Sequence, residues 1–243
     1  MALAKAEQKE SPVSRSPNND EGGGHGEGET RLQGSLLSGP ERRLLDWIIP
    51  RLPRWVTPDL LTGSALAAMV AAGFAYAGSG TDPRLLHVVN IGLFIHWFGD
   101  SLDGGLARAR NQSRPRYGFY VDHMSDALGA FAIGTGAAVS GIATPALAVV
   151  LLVFYLLLAV HSYLATYALG VFQLSFGPVG PTELRIALIL CNLAILWSPT
   201  LTLAGREFLT FDVAGGMTAV ALGLILFVQI SRTTKRLYDL ERV

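Results

Sequence analysis

The sequence predicts an all-α, polytopic membrane protein, with six transmembrane helices preceded by an amphipathic helix that lies in the membrane interface. Three observations lead to this fold class. Half of the residues are hydrophobic and only 16% are charged, a composition that favours a membrane protein. Six apolar stretches approach the roughly 20 residues that cross a hydrocarbon core of about 30 Å. The basic residues cluster on alternate connecting segments.

The chain divides into four predicted segments. Residues 1–38 are rich in Glu, Gly, Ser, Pro and Asn and poor in large apolar residues, so we expect a disordered N-terminal tail. Residues 39–56 alternate apolar and basic side chains and contain two tryptophans, which suits an interfacial helix better than the alternative of a soluble amphipathic helix. Residues 57–232 form the predicted six-helix transmembrane domain, and residues 233–243 form a C-terminal tail.

The distribution of arginine predicts the orientation. The predicted spans are 60–77, 85–106, 119–142, 146–169, 184–203 and 213–230. One side of the membrane receives Arg42, Arg43, Arg51, Arg54, Arg108, Arg110, Arg114, Arg116, Arg232, Lys235, Arg236 and Arg242. The other side offers Arg84 and Arg206. By the positive-inside bias, both termini and the loop between the second and third spans face the cytoplasm, and the preference for Arg over Lys favours a bacterial inner membrane.

Four aspartates stand in and between the second and third predicted spans. Asp100 and Asp103 are spaced i, i+3, and Asp122 and Asp126 are spaced i, i+4, so each pair shares one helix face. Pro115 favours a break between the pairs, and two antiparallel helices joined there would bring the four carboxylates together. A carboxylate at bilayer depth costs about 2.5–3.5 kcal/mol, so the cluster needs a partner. Carboxylate oxygens are ligands that suit Mg²⁺ or Mn²⁺.

This pattern resembles the signature of the CDP-alcohol phosphatidyltransferase family, Asp-x2-Asp-Gly-x2-Ala-Arg followed after a spacer by Gly-x3-Asp-x3-Asp. The matching positions are Asp100, Asp103, Gly104, Ala107, Arg108, Gly118, Asp122 and Asp126. A second stretch, Thr57 to Thr62, is similar to the Thr-Pro-Asn-x-Leu-Thr that often opens the family's first helix, with Asp59 in place of Asn. The resemblance covers roughly residue 58 to the C-terminus.

The resemblance implies an integral-membrane enzyme of phospholipid synthesis, which transfers a substituted phosphate group from a CDP-linked donor to an alcohol acceptor and releases CMP. It implies that Asp126 is the general base and that Asp100, Asp103, Asp122 and Asp126 hold two divalent cations, Mg²⁺ or Mn²⁺, which clamp the diphosphate. Family members are often dimers, which implies a homodimer. The candidates for donor binding are Gly104, Ala107, Arg108, Gly118, Asp59 and Thr62.

The identity of the donor rests on conflicting features. The candidates for contact with the acceptor or a phosphate are Arg185, Glu183 and His123. The alternative is that Glu183 and Arg185 lie at the membrane interface and that His123 donates a hydrogen bond to a metal ligand. The short six-span chain and Arg185 favour CDP-diacylglycerol, which we expect to be the donor. The alternative is a CDP-choline or CDP-ethanolamine:diacylglycerol phosphotransferase, because Asp122-His123 resembles the Asp-His-Gly-x-Asp of those enzymes. That alternative requires an aromatic or acidic patch for a cationic headgroup, for which Tyr117, Tyr120 and Glu183 are candidates.

Other functional classes account for fewer of these residues. A cation or proton transporter also carries intramembrane carboxylates, but it has no need of the signature's glycines and arginine. A structural network that pairs Asp100 or Asp103 with nearby arginines explains the acids but not the rest of the signature. The zero formal charge gives no field that would attract nucleic acid. We expect His96 and His161 to form hydrogen bonds inside the bundle instead of binding metal.

Overall fold

The structure is a computed structural model that describes residues 38–169 and 180–242. The predicted N-terminal tail therefore lies outside the described residues, except for its last residue. The helices are α1 (Ser38–Ile48), α2 (Pro58–Gly78), α3 (Leu85–Ala109), α4 (Pro115–Val139), α5 (Pro145–Leu169), α6 (Pro181–Trp197) and α7 (Thr210–Leu240). A 3-10 turn (Ile49–Arg51) follows α1, and an antiparallel hairpin of β1 (Thr200–Leu203) and β2 (Arg206–Leu209) precedes α7.

The described helices make the chain an all-helical membrane protein apart from this hairpin. Within the described ranges, four helices are long and apolar enough to cross a membrane, namely α2, α3, α5 and α7. They overlap the predicted spans 60–77, 85–106, 146–169 and 213–230. The other two predicted spans do not meet this standard. α4 carries Asp122, His123 and Asp126 in its first half, and α6 has only 17 residues.

Two predicted boundaries were wrong. The fifth span, 184–203, ends early, because Ser198 is extended before Pro199 and closes α6 at Trp197. The chain then turns in the hairpin through Ala204 and Gly205, which both have positive φ, as a tight hairpin turn requires. The first residues of the predicted C-terminal tail, from 233, continue α7 as far as Leu240. The predicted interfacial helix 39–56 is helical only through Ile48 in α1 and then continues as the 3-10 turn.

Small residues let α2 pack closely against both α3 and α4. A Cβ added to Gly73 of α2 would lie 2.5 Å from the carbonyl oxygen of Ala132 in α4, and one added to Gly136 would lie 2.2 Å from the carbonyl oxygen of Gly73. Gly92 of α3 meets Ala72 in the same way, with its added Cβ 2.8 Å from the Ala72 methyl group. Close backbone contact through small residues is the usual way in which helices associate in a membrane.

Successive helices alternate in direction, so the polar side chains of the predicted site lie at one end of the bundle. At this end Thr62, near the start of α2, contacts Asp103 near the end of α3. At the opposite end, Thr144 before α5 contacts Asp212 in the first turn of α7. Around the bundle, neighbouring helices follow the order α3, α2, α4, α5, α7 and α6, and α6 returns to α3. We call the end that carries Asp103 the site end.

The contact between α2 and α4 can be tested by overpacking. We expect Gly73→Ala to destabilise the protein by about 1–3 kcal/mol, because the new methyl group collides with the backbone of α4. The matched control is Gly216→Ala in α7, where an added Cβ meets nothing within 4 Å and helix propensity should add up to about 1 kcal/mol. Denaturation in detergent measures both variants. Equal stability of the two would contradict the close packing.

Candidate active site

The turn between α3 and α4 sets the geometry of the site. α3 ends where Asn111 adopts a left-handed conformation, with φ of 54°. The backbone N–H of Gln112 donates to the carbonyl of Ala107 at 2.8 Å, and that of Asn111 donates to the carbonyl of Arg108 at 3.2 Å, which together make a Schellman cap. Pro115 then opens α4 in the first turn, where proline is favoured. The two helices run antiparallel, as the break at Pro115 predicted.

The four aspartates of the signature meet at the site end. Asp122 interacts electrostatically with Asp100, Asp103 and Asp126. Asp103 is fixed from two directions: the Thr62 hydroxyl donates to its Oδ2 at 2.5 Å, and the Gly104 backbone N–H donates to its Oδ1 at 2.5 Å. The structure therefore brings together the carboxylates that were predicted to form one cluster.

Arg185 and His96 complete the cluster from two other positions. The Arg185 guanidinium, on the first turns of α6, lies 2.6 Å from Asp100 Oδ2 and 3.6 Å from Asp126 Oδ1. His96 is buried in α3, and its Nε2 lies 3.2 Å from Asp126 Oδ1. Arg185 is thus a counter-charge for the aspartates, whereas sequence analysis assigned it to an acceptor or a phosphate.

The residues present fit a divalent cation. Ligand atoms of His96, Asp100 and Asp126 all lie within 4.8 Å of one another. Asp126 Oδ1 is buried and accepts no hydrogen bond of good geometry from the described residues, although a buried carboxylate oxygen needs a partner. A divalent cation supplies that partner, and the donor set of carboxylate oxygens with one imidazole is suitable for it.

The remaining donor-binding candidates surround the cluster at the surface. Asp59 forms an ion pair with Arg114, and both side chains are about half-exposed. An added Cβ on Gly104 would lie 3.5 Å from the Arg108 guanidinium, and one on Gly118 would meet nothing within 4 Å. Both glycines therefore leave space beside the carboxylates. Ala107 takes part in the cap of α3 through its carbonyl.

Glu183 has a local structural role. Its carboxylate accepts a hydrogen bond from the backbone N–H of Gly180 at 2.9 Å and so caps the N-terminus of α6. Tyr117 stacks under the Arg114 guanidinium at 4.1 Å, and Tyr120 is exposed. The aromatic or acidic patch of Tyr117, Tyr120 and Glu183 stays a prediction.

A different aromatic cluster lies beside Asp122. The His123 ring stacks on Phe119 with a centroid separation of 4.2 Å and meets Tyr163 of α5 edge-on at 4.9 Å. His123 Nδ1 lies 2.7 Å from the carbonyl of Phe119 and 3.6 Å from Asp122 Oδ2. Tyr163 is in turn within electrostatic range of Asp122 and Asp126. We call Phe119, His123 and Tyr163 the aromatic cluster.

An apolar cavity of about 380 Å³ opens on the site. His96, Asp126 and Arg185 line its polar end. Below Asp126, successive turns of α4 supply Ala130, Ile133 and Ala137 to its wall. Its far end reaches Tyr76 and Phe211, which lie at the opposite ends of α2 and α7 from the site. The cavity therefore connects the charged cluster with the apolar interior of the bundle.

Sequence reasoning missed two residues at the site. His96 was expected to form hydrogen bonds within the bundle instead of binding metal, but the structure places its Nε2 3.2 Å from Oδ1 of the predicted base, Asp126, among the possible metal ligands. Its spacing of four residues before Asp100, on the same face of α3, was a usable signal. Tyr163 gave no such signal, because tyrosine is common near the ends of membrane helices.

The sequence pattern of the CDP-alcohol phosphatidyltransferase family matches residues 55–229, and this chain belongs to that family. The predicted family membership is confirmed. Membership also accounts for the glycines and the arginine that a transporter has no need of. The match begins close to α2 and ends within α7.

The relatives and a solved structure agree with this membership. Cholinephosphotransferase 1 of Gallus gallus is 28% identical over 82% of this chain and 65% of its own length, and the Homo sapiens protein is 27% identical over 76% and 48%. The chain therefore spans between about half and two thirds of these curated relatives. The crystal structure of Mycobacterium tuberculosis phosphatidylinositol phosphate synthase, solved with CDP-DAG bound, has a TM-score of 0.58 at 18% identity. The match covers 79% of this chain and 92% of that one, and at this identity it supports the fold alone.

Removal of metal tests the cluster directly. We expect a chelator to abolish CMP release and added Mg²⁺ or Mn²⁺ to restore it, because clustered carboxylates need cations to balance their charge. Asp100→Asn should weaken Mn²⁺ binding at least about 10-fold. The control is Asp82→Asn, since Asp82 pairs with Arg84 in an exposed loop outside the site. Full activity without metal, or equal Mn²⁺ binding by both variants, would contradict this assignment.

Proposed function

We propose that the protein transfers a substituted phosphate group from a CDP-linked donor to a lipid alcohol and releases CMP. One observation carries the proposal: Asp126, the last aspartate of the family signature, lines the polar end of an apolar cavity and interacts with the other aspartates through Asp122 and Arg185. A soluble nucleotide has access to the carboxylates from the exposed side, where Gly104 and Gly118 leave space. A lipid reaches the same carboxylates from within the membrane, along the cavity.

Each polar residue of the site receives a role in this proposal. Two divalent cations, Mg²⁺ or Mn²⁺, held by Asp100, Asp103, Asp122 and Asp126, would neutralise the diphosphate and stabilise the attacking and leaving oxygens. Asp126 accepts the proton of the acceptor hydroxyl as general base. His96 holds Asp126 from inside the bundle, and Thr62 holds Asp103. Arg185 keeps the carboxylates close together and can turn its remaining N–H donors towards a phosphate.

The position of the cavity favours a lipid acceptor over a lipid donor. Asp126 lines the cavity, so an acyl chain in it would bring the hydroxyl of a diacylglycerol-like molecule to the base. A CDP-diacylglycerol donor would instead need an opening to the bilayer beside Gly104, which is not among the residues that line the cavity. Arg185, which favoured CDP-diacylglycerol in the sequence, is engaged by Asp100.

The aromatic cluster supports the same choice. Aromatic faces beside a carboxylate suit a choline or ethanolamine headgroup, for which a cation–π contact contributes about 0.5–2 kcal/mol. The relatives named as cholinephosphotransferases favour the same donors. We therefore propose CDP-choline or CDP-ethanolamine as donor, with His123 in the aromatic cluster that receives its headgroup. CDP-diacylglycerol is the second candidate, because the solved structure that shares the fold contains CDP-DAG.

We also propose that α4 and α6 complete six spans. α4 has 25 residues, which is about 37 Å at 1.5 Å per residue, and its acidic residues face the cluster. The basic residues at the site end support a cytoplasmic site and cytoplasmic termini in a bacterial inner membrane. α1 and the segment that follows it would lie in the headgroup region. The side chains of Trp47 in α1 and Trp55 after it are 59% and 73% exposed. The homodimer implied by the family is retained as a proposal.

The role of Asp126 is tested by Asp126→Asn. We expect turnover to fall by about 10²–10⁴-fold, because a positioned general base contributes that factor. Metal-dependent binding of the donor should largely survive, since the amide keeps an oxygen at the same position. Turnover and donor affinity are measured separately on the purified protein. Near-normal turnover would remove Asp126 from this role.

The donor is identified by a matrix of CDP-linked donors and alcohol acceptors, with CMP release and mass spectrometry of the lipid as readouts. If the aromatic cluster binds a cationic headgroup, Tyr163→Leu should raise the KM for CDP-choline about 3- to 30-fold. The control is Tyr167→Leu, one turn further along α5, where the side chain is 88% exposed. CMP release from CDP-diacylglycerol alone would overturn the choice of donor and leave the family reaction intact.

A further inference from the structure

The side chain of Glu41 joins three helices at the site end. It belongs to the first turn of α1, and its carboxylate is partly buried against α3 and α6. Trp97 Nε1 donates to Glu41 Oε1 at 2.8 Å, and the Ser101 hydroxyl donates to the same oxygen at 2.9 Å. The Thr182 hydroxyl lies 3.2 Å from Glu41 Oε2. One carboxylate therefore accepts hydrogen bonds from both α3 and α6.

These contacts surround the Asp100–Arg185 ion pair. Trp97 and Ser101 lie three residues before and one residue after Asp100 on α3, and Thr182 lies three residues before Arg185 on α6. Glu41 thus connects the same two helices that the ion pair connects, about one turn away from it. The lateral position of Arg185 relative to Asp100 and Asp126 depends on how the start of α6 is held against α3.

The contact of α1 with α3 does not depend on Glu41 alone. Leu45, Ile48 and Ile49 pack against the buried side chains of Leu102 and Leu106. Ile49 also fills the space over Gly105, where an added Cβ would lie only 2.6 Å from its Cδ1. Since apolar packing already fixes α1 on α3, the bond from Thr182 is the part of the Glu41 contacts that acts on α6.

The charge of Glu41 suits this position. Hydrogen bonds to an ionised acceptor are roughly twice as strong as neutral ones. Thr182 is in the first turn of α6, where the helix dipole favours a negative group. Gly180, at the N-cap of α6, has no side chain of its own to satisfy that end.

We propose that Glu41 is a positioning residue of the active site: it holds the first turn of α6 so that Arg185 stays against Asp100 and Asp126. The inference rests on the proposed function. It makes α1 a part of the catalytic unit in addition to an interfacial helix. A displacement of about 1 Å from productive geometry can cost 10²-fold in rate, so a small release of α6 should be measurable.

The decisive variant is Thr182→Val, which removes the bond to α6 and leaves α1 packed on α3. We expect kcat to fall about 10-fold for Thr182→Val and 10- to 100-fold for Glu41→Ala, with the KM for the donor changed less than threefold. Glu41→Gln should stay within threefold of the unaltered protein, because its amide can accept from Trp97 and donate to the Thr182 hydroxyl. The matched control is Thr135→Val, whose hydroxyl bonds to its own helix backbone.

A double variant distinguishes a positioning role of Glu41 from a purely stabilising one, because in a positioning role the losses of kcat are not additive. If Glu41 acts through Arg185, the double variant Thr182→Val/Arg185→Lys should be no slower than Arg185→Lys alone. An unchanged kcat for Thr182→Val, or losses that multiply in the double variant, would overturn the proposal. The thermal midpoint in detergent is measured for each variant, and Thr182→Val provides the test even if Glu41→Ala does not fold.

Mn²⁺ titration keeps this test separate from the test of the reaction. If the unaltered protein releases no CMP from any donor, the proposed function falls, and the Kd for Mn²⁺ then decides the role of Glu41. Withdrawal of the Arg185 guanidinium from Asp100 should tighten Mn²⁺ binding at least threefold in Thr182→Val and in Glu41→Ala, but not in Thr135→Val. An unchanged Kd in the first two variants would overturn the proposal.

Discussion

The structure depends on the concentration of negative charge that four aspartates create at one end of a membrane bundle. Arg185 is the counter-charge that the structure places against them, with its guanidinium 2.6 Å from Asp100 and 3.6 Å from Asp126. Loss of one partner of a buried ion pair costs about 3–5 kcal/mol, so removal of Arg185 would leave the aspartates with a costly unpaired charge. Four carboxylates and one guanidinium still leave net negative charge. The proposed divalent-cation site rests on this excess of carboxylates.

Two features hold these charges together: the turn between α3 and α4, and the close packing of α2 against α4. The Asn111 cap and Pro115 reverse the chain within a few residues, so the two aspartate pairs return to the same height. Farther into the bundle, Gly73 and Gly136 bring α2 and α4 into backbone contact. Because α2 also carries Thr62, this packing fixes the hydroxyl that holds Asp103. Packing in the apolar region thus positions polar atoms at the site end.

Features that depend on short spacing could be predicted from the sequence. The i, i+3 and i, i+4 aspartate pairs, the break at Pro115 and four of the spans follow from helix periodicity and composition, and the structure contains them. The end of α6 could also have been predicted, since Ser198-Pro199 is a stop signal. The partners of Arg185 could not be predicted, because Asp100 lies 85 residues away in the sequence. Glu41 and Thr182 are 141 residues apart, and no local pattern relates them.

The difference between local spacing and contacts of distant residues also explains why the kind of substrate was harder to predict than the family. Along α4, Asp126 is followed on one face by Ala130, Ile133 and Ala137, so the base and the cavity wall are successive turns of one helix. In the sequence this face looks like an ordinary apolar stripe beneath a polar end. Only the neighbouring helices turn the stripe into a cavity, and the proposal that a lipid acceptor reaches Asp126 rests on that cavity. The side of entry decides whether the lipid carries the hydroxyl or the CDP, and this depends on tertiary packing.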